Sequence, residues 1–288
     1  MMAHKYGFIG LGQMGQPMAD NIAGSDFDLT VFDLAGTDDR APVKSTQARS
    51  LTEVISVADT VFLSLPDAQA SLAVASEIAE AENPATKLVI DLSTIGPVAA
   101  REACTILSTA GIDYADAPVS GGAIGAKAGT ITIMWAGSSG AMEAHNDVLK
   151  AFSKNQFHIG DQPGQGQALK ILNNFLSATA MAATSEAVLY GLSEGIDMKT
   201  LLDVVNVSTG QNTATRDKFP DRVLTGTFDA GFKTALLAKD VRLYIDNVET
   251  AKTPDNVGNL ISNIWNNCDE TLPQSDFTRI YEYIRDKE

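Results

Sequence analysis

Six short apolar runs mark the first half of the chain, separated by stretches with helical character, and this alternation narrows the fold more than any other feature. The runs are Tyr6 to Ile9, Leu29 to Phe32, Val61 to Leu65, Leu88 to Leu92, Ile112 to Ala117 and Ile131 to Trp135. After the first of them, Met14, Met18 and Ile22 recur every fourth residue, on one helical face. Strands alternating with helices imply parallel strands joined by crossover helices. The pattern changes after Gly160, where Pro163, Gly164 and Gly166 mark a break. Gln167 to Leu192 is helical in pattern, and further helix-like segments lie near Met198–Val207, Thr234–Val248, Pro254–Cys268 and Ser275–Arg285. The expected architecture is therefore an α/β domain over residues 1–162 and an all-helical domain over 163–288. A length of 288 residues suits two ordinary domains, at roughly 100–200 residues each. With 44% apolar and 20% charged residues, such a chain builds its core without staples. Disorder, collagen-like repeats and coiled coil are poor readings.

Charge excludes one class of partner. Lys plus Arg total 21 against 36 Asp plus Glu, a net charge of −15. A nucleic-acid binder needs a basic excess or stripe, and neither is present. Small anionic substrates stay possible, because one local positive group can outweigh distant net charge. Cys104 and Cys268 stand far apart without a CxxC, so neither a disulfide framework nor a metal site is signalled. The uncharged tract between Lys170 and Glu186 contains two asparagines and is shorter than the roughly 18 residues of a membrane span. The opening Met-Met-Ala-His-Lys carries no signal-peptide pattern. A cytoplasmic protein is expected.

The first chemical signal is Gly10-Leu11-Gly12-Gln13-Met14-Gly15, a GxGxxG that follows a strand pattern and opens a helix pattern. Gly10 permits a tight turn, Gly12 lets backbone approach a pyrophosphate, and Gly15 allows close helix–strand packing. The helix N-terminus then receives the anion. Asp33 lies 23 residues after Gly10, at the end of the next strand, near the spacing expected of a ribose-binding carboxylate. Such a carboxylate accepts hydrogen bonds from a ribose 2′-hydroxyl and repels a 2′-phosphate, so NAD is favoured over NADP. Arg40 nearby weakens that preference. The bland alternatives are a glycine turn in an unliganded domain and a strand-end turn residue.

Other strand ends carry weaker signals. Leu65-Pro66 ends one strand, and Ser93-Thr94 ends the next; hydroxyls there suit a ribose or nicotinamide, and equally an ordinary helix cap. Asp116-Ala117-Pro118-Val119-Ser120-Gly121-Gly122 ends a third strand. Its glycines expose backbone N–H groups that suit a carboxylate or phosphate, or form a plain loop. In the helix that follows Gly166, Lys170, Asn173, Asn174 and Ser177 make one polar stripe, with Met181 a turn further on. A lysine on an otherwise apolar, buried helix loses solvation, which disfavours its charged form and suits it to acid–base work. Taken alone, the stripe reads as a snorkelling lysine with asparagines satisfying buried backbone. Of the three histidines, His4 is terminal, His145 sits on a charged helix-like stretch and His158 in a strand-like one. None resembles a dehydrogenase histidine with a carboxylate partner.

Together these motifs resemble the β-hydroxyacid dehydrogenases, a family that includes 3-hydroxyisobutyrate dehydrogenase and tartronate semialdehyde reductase and, more distantly, 6-phosphogluconate dehydrogenase. The resemblance runs over essentially the whole chain. It rests on Gly7-Phe8-Ile9-Gly10-Leu11-Gly12-Gln13-Met14-Gly15-Gln16-Pro17-Met18-Ala19, the Asp116–Gly122 segment, Gly164-Gln165-Gly166-Gln167-Ala168-Leu169-Lys170-Ile171-Leu172-Asn173-Asn174, and Lys239-Asp240-Val241 preceded by Phe232.

The resemblance implies roles. Lys170 would be the catalytic acid–base group. Ser120, Gly121 and Gly122 would hold a substrate carboxylate, helped by Asn174. Gly10, Leu11, Gly12, Gln13, Met14, Gly15 and Asp33 would hold the dinucleotide, with Leu65, Pro66, Thr94 and Phe232 lining its site and Lys239 reaching it from the helical half. It also implies a short hydroxy acid as substrate, an active site between the domains, and a homodimer or homotetramer. The polar Ser208-Thr209-Gly210-Gln211-Asn212-Thr213 stands where 3-hydroxyisobutyrate dehydrogenases usually carry a tryptophan. That favours a more polar acid, and Arg216 either meets a second anionic group or forms a solvated pair with Asp217. Alternatives are an imine reductase of related fold, a 6-phosphogluconate-type decarboxylase, or a dinucleotide-binding sensor without catalysis.

Overall fold

The apolar runs of the first half are buried on both faces, as strands covered by helices must be. The computed structural model describes residues 4–287 and places nine strands in one sheet. They are β1 (Lys5–Ile9), β2 (Asp28–Phe32), β3 (Thr46–Gln47), β4 (Thr60–Leu63), β5 (Leu88–Asp91), β6 (Asp113–Asp116), β7 (Val119–Ser120), β8 (Ile131–Ala136) and β9 (Ser153–Gly160). The order β3-β2-β1-β4-β5-β6 is parallel throughout, which is the doubly wound dinucleotide-binding arrangement. β8 pairs antiparallel with β6 and β7, and β9 runs parallel to β8.

Alternate side chains build two cores. Phe8, Val31, Phe62 and Ile90 face Met18, Ile22 and Phe152 on one side. Val61, Leu63 and Val89 face Val54, Ile55, Ala103 and Leu107 on the other. The four-residue spacing of Met14, Met18 and Ile22 lies on the helix Gly15–Gly24, with Met18 and Ile22 fully buried. The strand order reverses between β1 and β4, and the register sets Ile9 level with Phe32 and Leu63. Gly10, Asp33 and Ser64, one residue beyond each, therefore share the carboxyl edge of the sheet, where open α/β folds bind ligands.

Two compact units divide the chain, Met1–Lys170 and Ile171–Glu288. The first extends past the break at Pro163 because the next turn of chain is bonded to the sheet: Gly164 N–H and Gln167 N–H both donate to the Asp116 carboxylate, at 2.7 and 2.9 Å. The helix Gln165–Ser193 starts in the first unit and ends in the second. In the second unit the helices Met198–Val205, Thr234–Ala251, Asn256–Thr271 and Ile280–Arg285 pack around Met181, Val188, Phe219, Leu237, Val241 and Trp265. The charged stretch around Arg216 holds an element the sequence did not announce, the π-helix Ala214–Val223 with Pro220 inside it. Asn212 Oδ1 accepts from the N–H groups of Ala214 and Thr215 at its start, and Phe219 anchors it in the core. Among the described residues no helix is long and apolar enough to cross a membrane, and no group of three or more His, Cys, Asp or Glu could hold a metal ion.

Candidate active site

The glycine loop is shaped by what its glycines must avoid. Gly10 has φ +94°, and a Cβ there would come within 2.3 Å of the Ser64 carbonyl oxygen. A Cβ on Gly15 would come within 1.9 Å of the Gly10 carbonyl oxygen. Gly12 differs: a Cβ there would meet nothing within 4 Å. Helix and strand thus touch at Gly10 and Gly15, while Gly12 borders open space on the side a pyrophosphate would approach. The helix Gly15–Gly24 begins without a side-chain cap at Met14 and without an acidic residue in its first turn, an arrangement that suits an anion at its positive end. Leu11 contributes backbone only, because its side chain is in the core. Its N–H donates to Asp33 Oδ2 at 2.6 Å, which ties the loop to the end of β2. Gln13 is exposed and Met14 is half-buried.

At the next strand ends the hydroxyls have specific work. Ser93 Oγ accepts from Leu65 N–H at 2.8 Å. The helix Pro97–Ser108 has Gly96 at its N-cap position, and the Ser93 hydroxyl is engaged with Leu65. Pro66 is exposed beside half-buried Leu65. Gln167 then locks the long helix onto this edge: its Oε1 accepts from Ile95 and Gly96 N–H at 3.0 and 3.1 Å, and its Nε2 donates to the Ser93 carbonyl at 2.8 Å. Asp116 holds the same turn from the neighbouring strand. Its carboxyl is pushed up to about 6, chiefly by burial and further by the negative charge of Asp91, against the pull of the Gly164 and Gln167 N–H groups. Asp91 stands level with it on β5 and is fully buried, which raises its own carboxyl.

Beyond Asp116 the chain turns into β7, with Ser120 half-buried, and then through Gly121 (φ +139°) and Gly122 (φ +62°) into the short helix Gly122–Ala128. Lys170 and Asn174 lie one turn apart on the long helix, 8% and 7% exposed. Asn173 and Ser177 are half-buried beside them. The expectation that the rest of this helix is buried needs correction. Leu172 and Leu176 are 42% and 58% exposed, so the polar stripe points inward and part of the apolar face points out.

In the second unit Asn174 Nδ2 donates to Asp240 Oδ2 at 2.6 Å. Asp240 Oδ1 lies 3.3 Å from Lys239 Nζ, an ion-pair contact outside hydrogen-bond geometry. Lys239 is therefore more than a helix-surface lysine. Phe232 is set by a separate device: Asp276 Oδ2 accepts from the N–H groups of Gly231 and Phe232, and Phe277 packs edge-on against its ring. Asp116, Gln167 and Asp240 were visible in the sequence only as members of motifs. Their partners come from distant segments, and no local spacing announces them.

Two family models cover nearly the whole chain. The NAD binding domain of 6-phosphogluconate dehydrogenase matches residues 5–160, and the NAD-binding domain of NADP-dependent 3-hydroxyisobutyrate dehydrogenase matches residues 164–284. The chain belongs to the β-hydroxyacid dehydrogenase family. Within it, the 2-(hydroxymethyl)glutarate dehydrogenase of Eubacterium barkeri is 34% identical over 87% of this chain and 84% of its own. The mitochondrial 3-hydroxyisobutyrate dehydrogenase of Mus musculus is 33% identical over 98% of this chain and 87% of its own. The solved 3-hydroxyisobutyrate dehydrogenase of Mycobacterium tuberculosis with L-serine superposes with a TM-score of 0.89 at 30% identity, covering 99% of this chain and 100% of that one. Membership in the family accounts for the doubly wound sheet, the glycine loop and the long helix together.

Proposed function

We propose that this chain is an NAD-dependent dehydrogenase that oxidises a short acid bearing a hydroxyl on the carbon β to its carboxylate, with Lys170 moving the hydroxyl proton. The observation that carries the reading is the inward polar stripe: a buried lysine, one turn before a buried asparagine, on a helix whose first turn is bonded to the sheet through Gln167 and Asp116. The names of the relatives above, which act on hydroxy acids, support the substrate class.

NAD when bound supplies the hydride acceptor. The chain does the rest. Gly10, Gly12 and Gly15 shape the loop for the pyrophosphate, and Asp33 meets the ribose. Leu65, Pro66, Thr94, Phe232 and Lys239 line the dinucleotide site. Ser120, Gly121 and Gly122 hold the substrate carboxylate, with Asn174 helping and kept in place by Asp240. Lys170 Nζ accepts the hydroxyl proton during oxidation and returns it during reduction. Holding the carboxylate fixes the reacting carbon, which is where much of the rate arises. The polar Ser208–Thr213 segment favours an acid more polar than 3-hydroxyisobutyrate. Arg216 is exposed and paired with Asp217 at 3.0 Å, so the solvated pair is the better supported of its two roles. Self-association into a homodimer or homotetramer belongs to the same proposal.

Lys170→Ala tests the mechanism. General acid–base groups contribute about 10²–10⁴-fold, so the variant should bind NADH normally and lose turnover by that factor across a panel of 3-hydroxyisobutyrate, 3-hydroxypropionate, glycerate and L-serine. Turnover close to wild type in the variant would sink the assignment.

A further inference from the structure

The long helix begins without a cap of its own. Gly164 stands at its N-cap: the Gly164 carbonyl accepts the first intrahelical bond, from Ala168 N–H at 2.9 Å, and a glycine has no side chain to cover the orphan donors of the first turn. In a capping box the N-cap side chain takes the N–H three residues on, and the side chain there takes the N-cap N–H. Here one carboxylate from another element does both. Asp116, at the end of β6, accepts from Gly164 N–H on Oδ1 at 2.7 Å and from Gln167 N–H on Oδ2 at 2.9 Å. The Gln167 side chain, released from that duty, reaches the chain just beyond β5 and bonds Ile95, Gly96 and Ser93.

A cap of this kind is a burden on the fold. Asp116 is buried and level with buried Asp91 on β5, and Tyr114 and Cys104 lie close enough to feel its charge. Its carboxyl is pushed up to about 6, so at neutral pH it is ionised against its surroundings and weakens the fold. A helix that needed only a cap would carry Ser or Asp at its own N-cap, in contact with water. What a cap from the sheet adds is position. Asp116 sets the height of the first turn on β6, and Gln167 sets its rotation. A Cβ on Gly166 would strike the carbonyl oxygens of Met134 and Asp116, so the turn lies against the strand ends. Lys170 follows three residues after Gln167, about 4.5 Å further along the axis, in the same compact unit as the sheet.

We propose that Asp116 and Gln167 are positioning residues for Lys170: together they fix, from two strand ends, where the first turn of the helix presents the amine. Both act through the helix and not on the substrate, and their role rests on the acid–base reading of Lys170. Only a carboxylate suits the first of these positions. Each of its oxygens takes one donor, whereas an asparagine offers one acceptor and turns its amide N–H groups on the other donor. A misplacement of about 1 Å far from the chemistry costs about 10²-fold in rate, so a helix freed from either anchor loses turnover before it loses its fold.

The test is single-turnover NADH formation with the four acids above in the wild type, Asp116→Asn, Lys170→Ala and the double variant, beside calorimetric titration of NADH. Asp116→Asn should lose roughly 10–100-fold in rate, while the half-saturating acid concentration and the NADH affinity change less than about threefold. In the Lys170→Ala background the same substitution should change the residual rate less than about twofold, because its effect passes through the amine. A wild-type rate in Asp116→Asn, an equal loss that persists without Lys170, or a loss confined to acid or NADH affinity overturns the proposal; Lys170→Ala is still inactive in each case, so the acid–base reading stands. A Lys170→Ala protein as fast as the wild type, or a wild type silent toward all four acids, overturns the reading and the positioning role together. Gln167→Met is the second variant, which keeps the proposal open to failure if Asp116→Asn does not fold. It frees the same turn from the other strand and should lose rate only where Lys170 is present; a wild-type rate there overturns the proposal.

Discussion

At the scale of single residues, the glycine loop separates folding from binding. Gly12→Ala adds a methyl into open space, so its effect on stability should stay within about 0.5 kcal/mol, as for other surface changes. The same methyl stands where the pyrophosphate would approach, and NADH affinity should fall at least about tenfold. Thermal melts and calorimetry on one sample check both halves; normal NADH binding would show that the loop holds no phosphate. Asp33 shows how far a residue can be read in sequence. Its position at a strand end was legible, since spacing along the chain is a local property. Its three donors, the N–H groups of Leu11 and Ala35 and the Arg40 guanidinium, were not, because one comes from the preceding loop and another from two turns that no periodicity marks. Asp240 is a similar case: the Lys239-Asp240 pair stood in the motif, but the bond from Asn174 crosses between helices.

At the scale of elements, the long strands and helices were legible because each keeps its period over enough residues. β3 and β7 are two residues each, too short for any period. The π-helix Ala214–Val223 is polar and contains a proline, which argues against a helix until Phe219 finds its core. The first turn of the long helix makes a measurable prediction. Asp116 has its carboxyl raised, so its stabilising contribution is fully present below the ordinary value of 3.8 and is lost as pH rises through about 6. A shift of that size corresponds to roughly 3 kcal/mol, shared with Asp91, whose carboxyl shifts the same way. Chemical denaturation at about pH 4.5 and 7.5 should show Asp116→Asn losing less stability than the wild type on going up in pH. A parallel pH dependence in the two proteins would mean that Asp116 does not titrate in this range. Core strands carry a simpler expectation: Phe62→Ala, at a fully buried position, should cost about 3–5 kcal/mol.

At the scale of the whole molecule, a net charge of −15 sets a repulsive background for the anions of the proposed reaction, which local groups such as Lys170 and Lys239 would have to overcome. The second unit also exposes large apolar side chains, among them Leu172, Leu176, Tyr190 and Val207. The sequence pattern placed Leu172, Leu176 and Tyr190 on a buried helix, because periodicity reports which residues share a face and not which way that face points. A second copy of the chain as their partner predicts a dimer or tetramer by sedimentation, and Leu176→Glu should shift it toward monomer; a wild-type monomer at micromolar concentration contradicts that. Finally, the helix Gln165–Ser193 belongs to both units, and this limits how such a chain can be recombined. A crossover at Pro163 takes from the first unit the groups that bond to Asp116, Ile95 and Ser93. One just after Lys170 joins a first turn from one parent to a helix body from the other. Parentage can change cleanly only where both sides keep the helix whole, so functional chimeras with relatives should be depleted of junctions from Pro163 to Ser193.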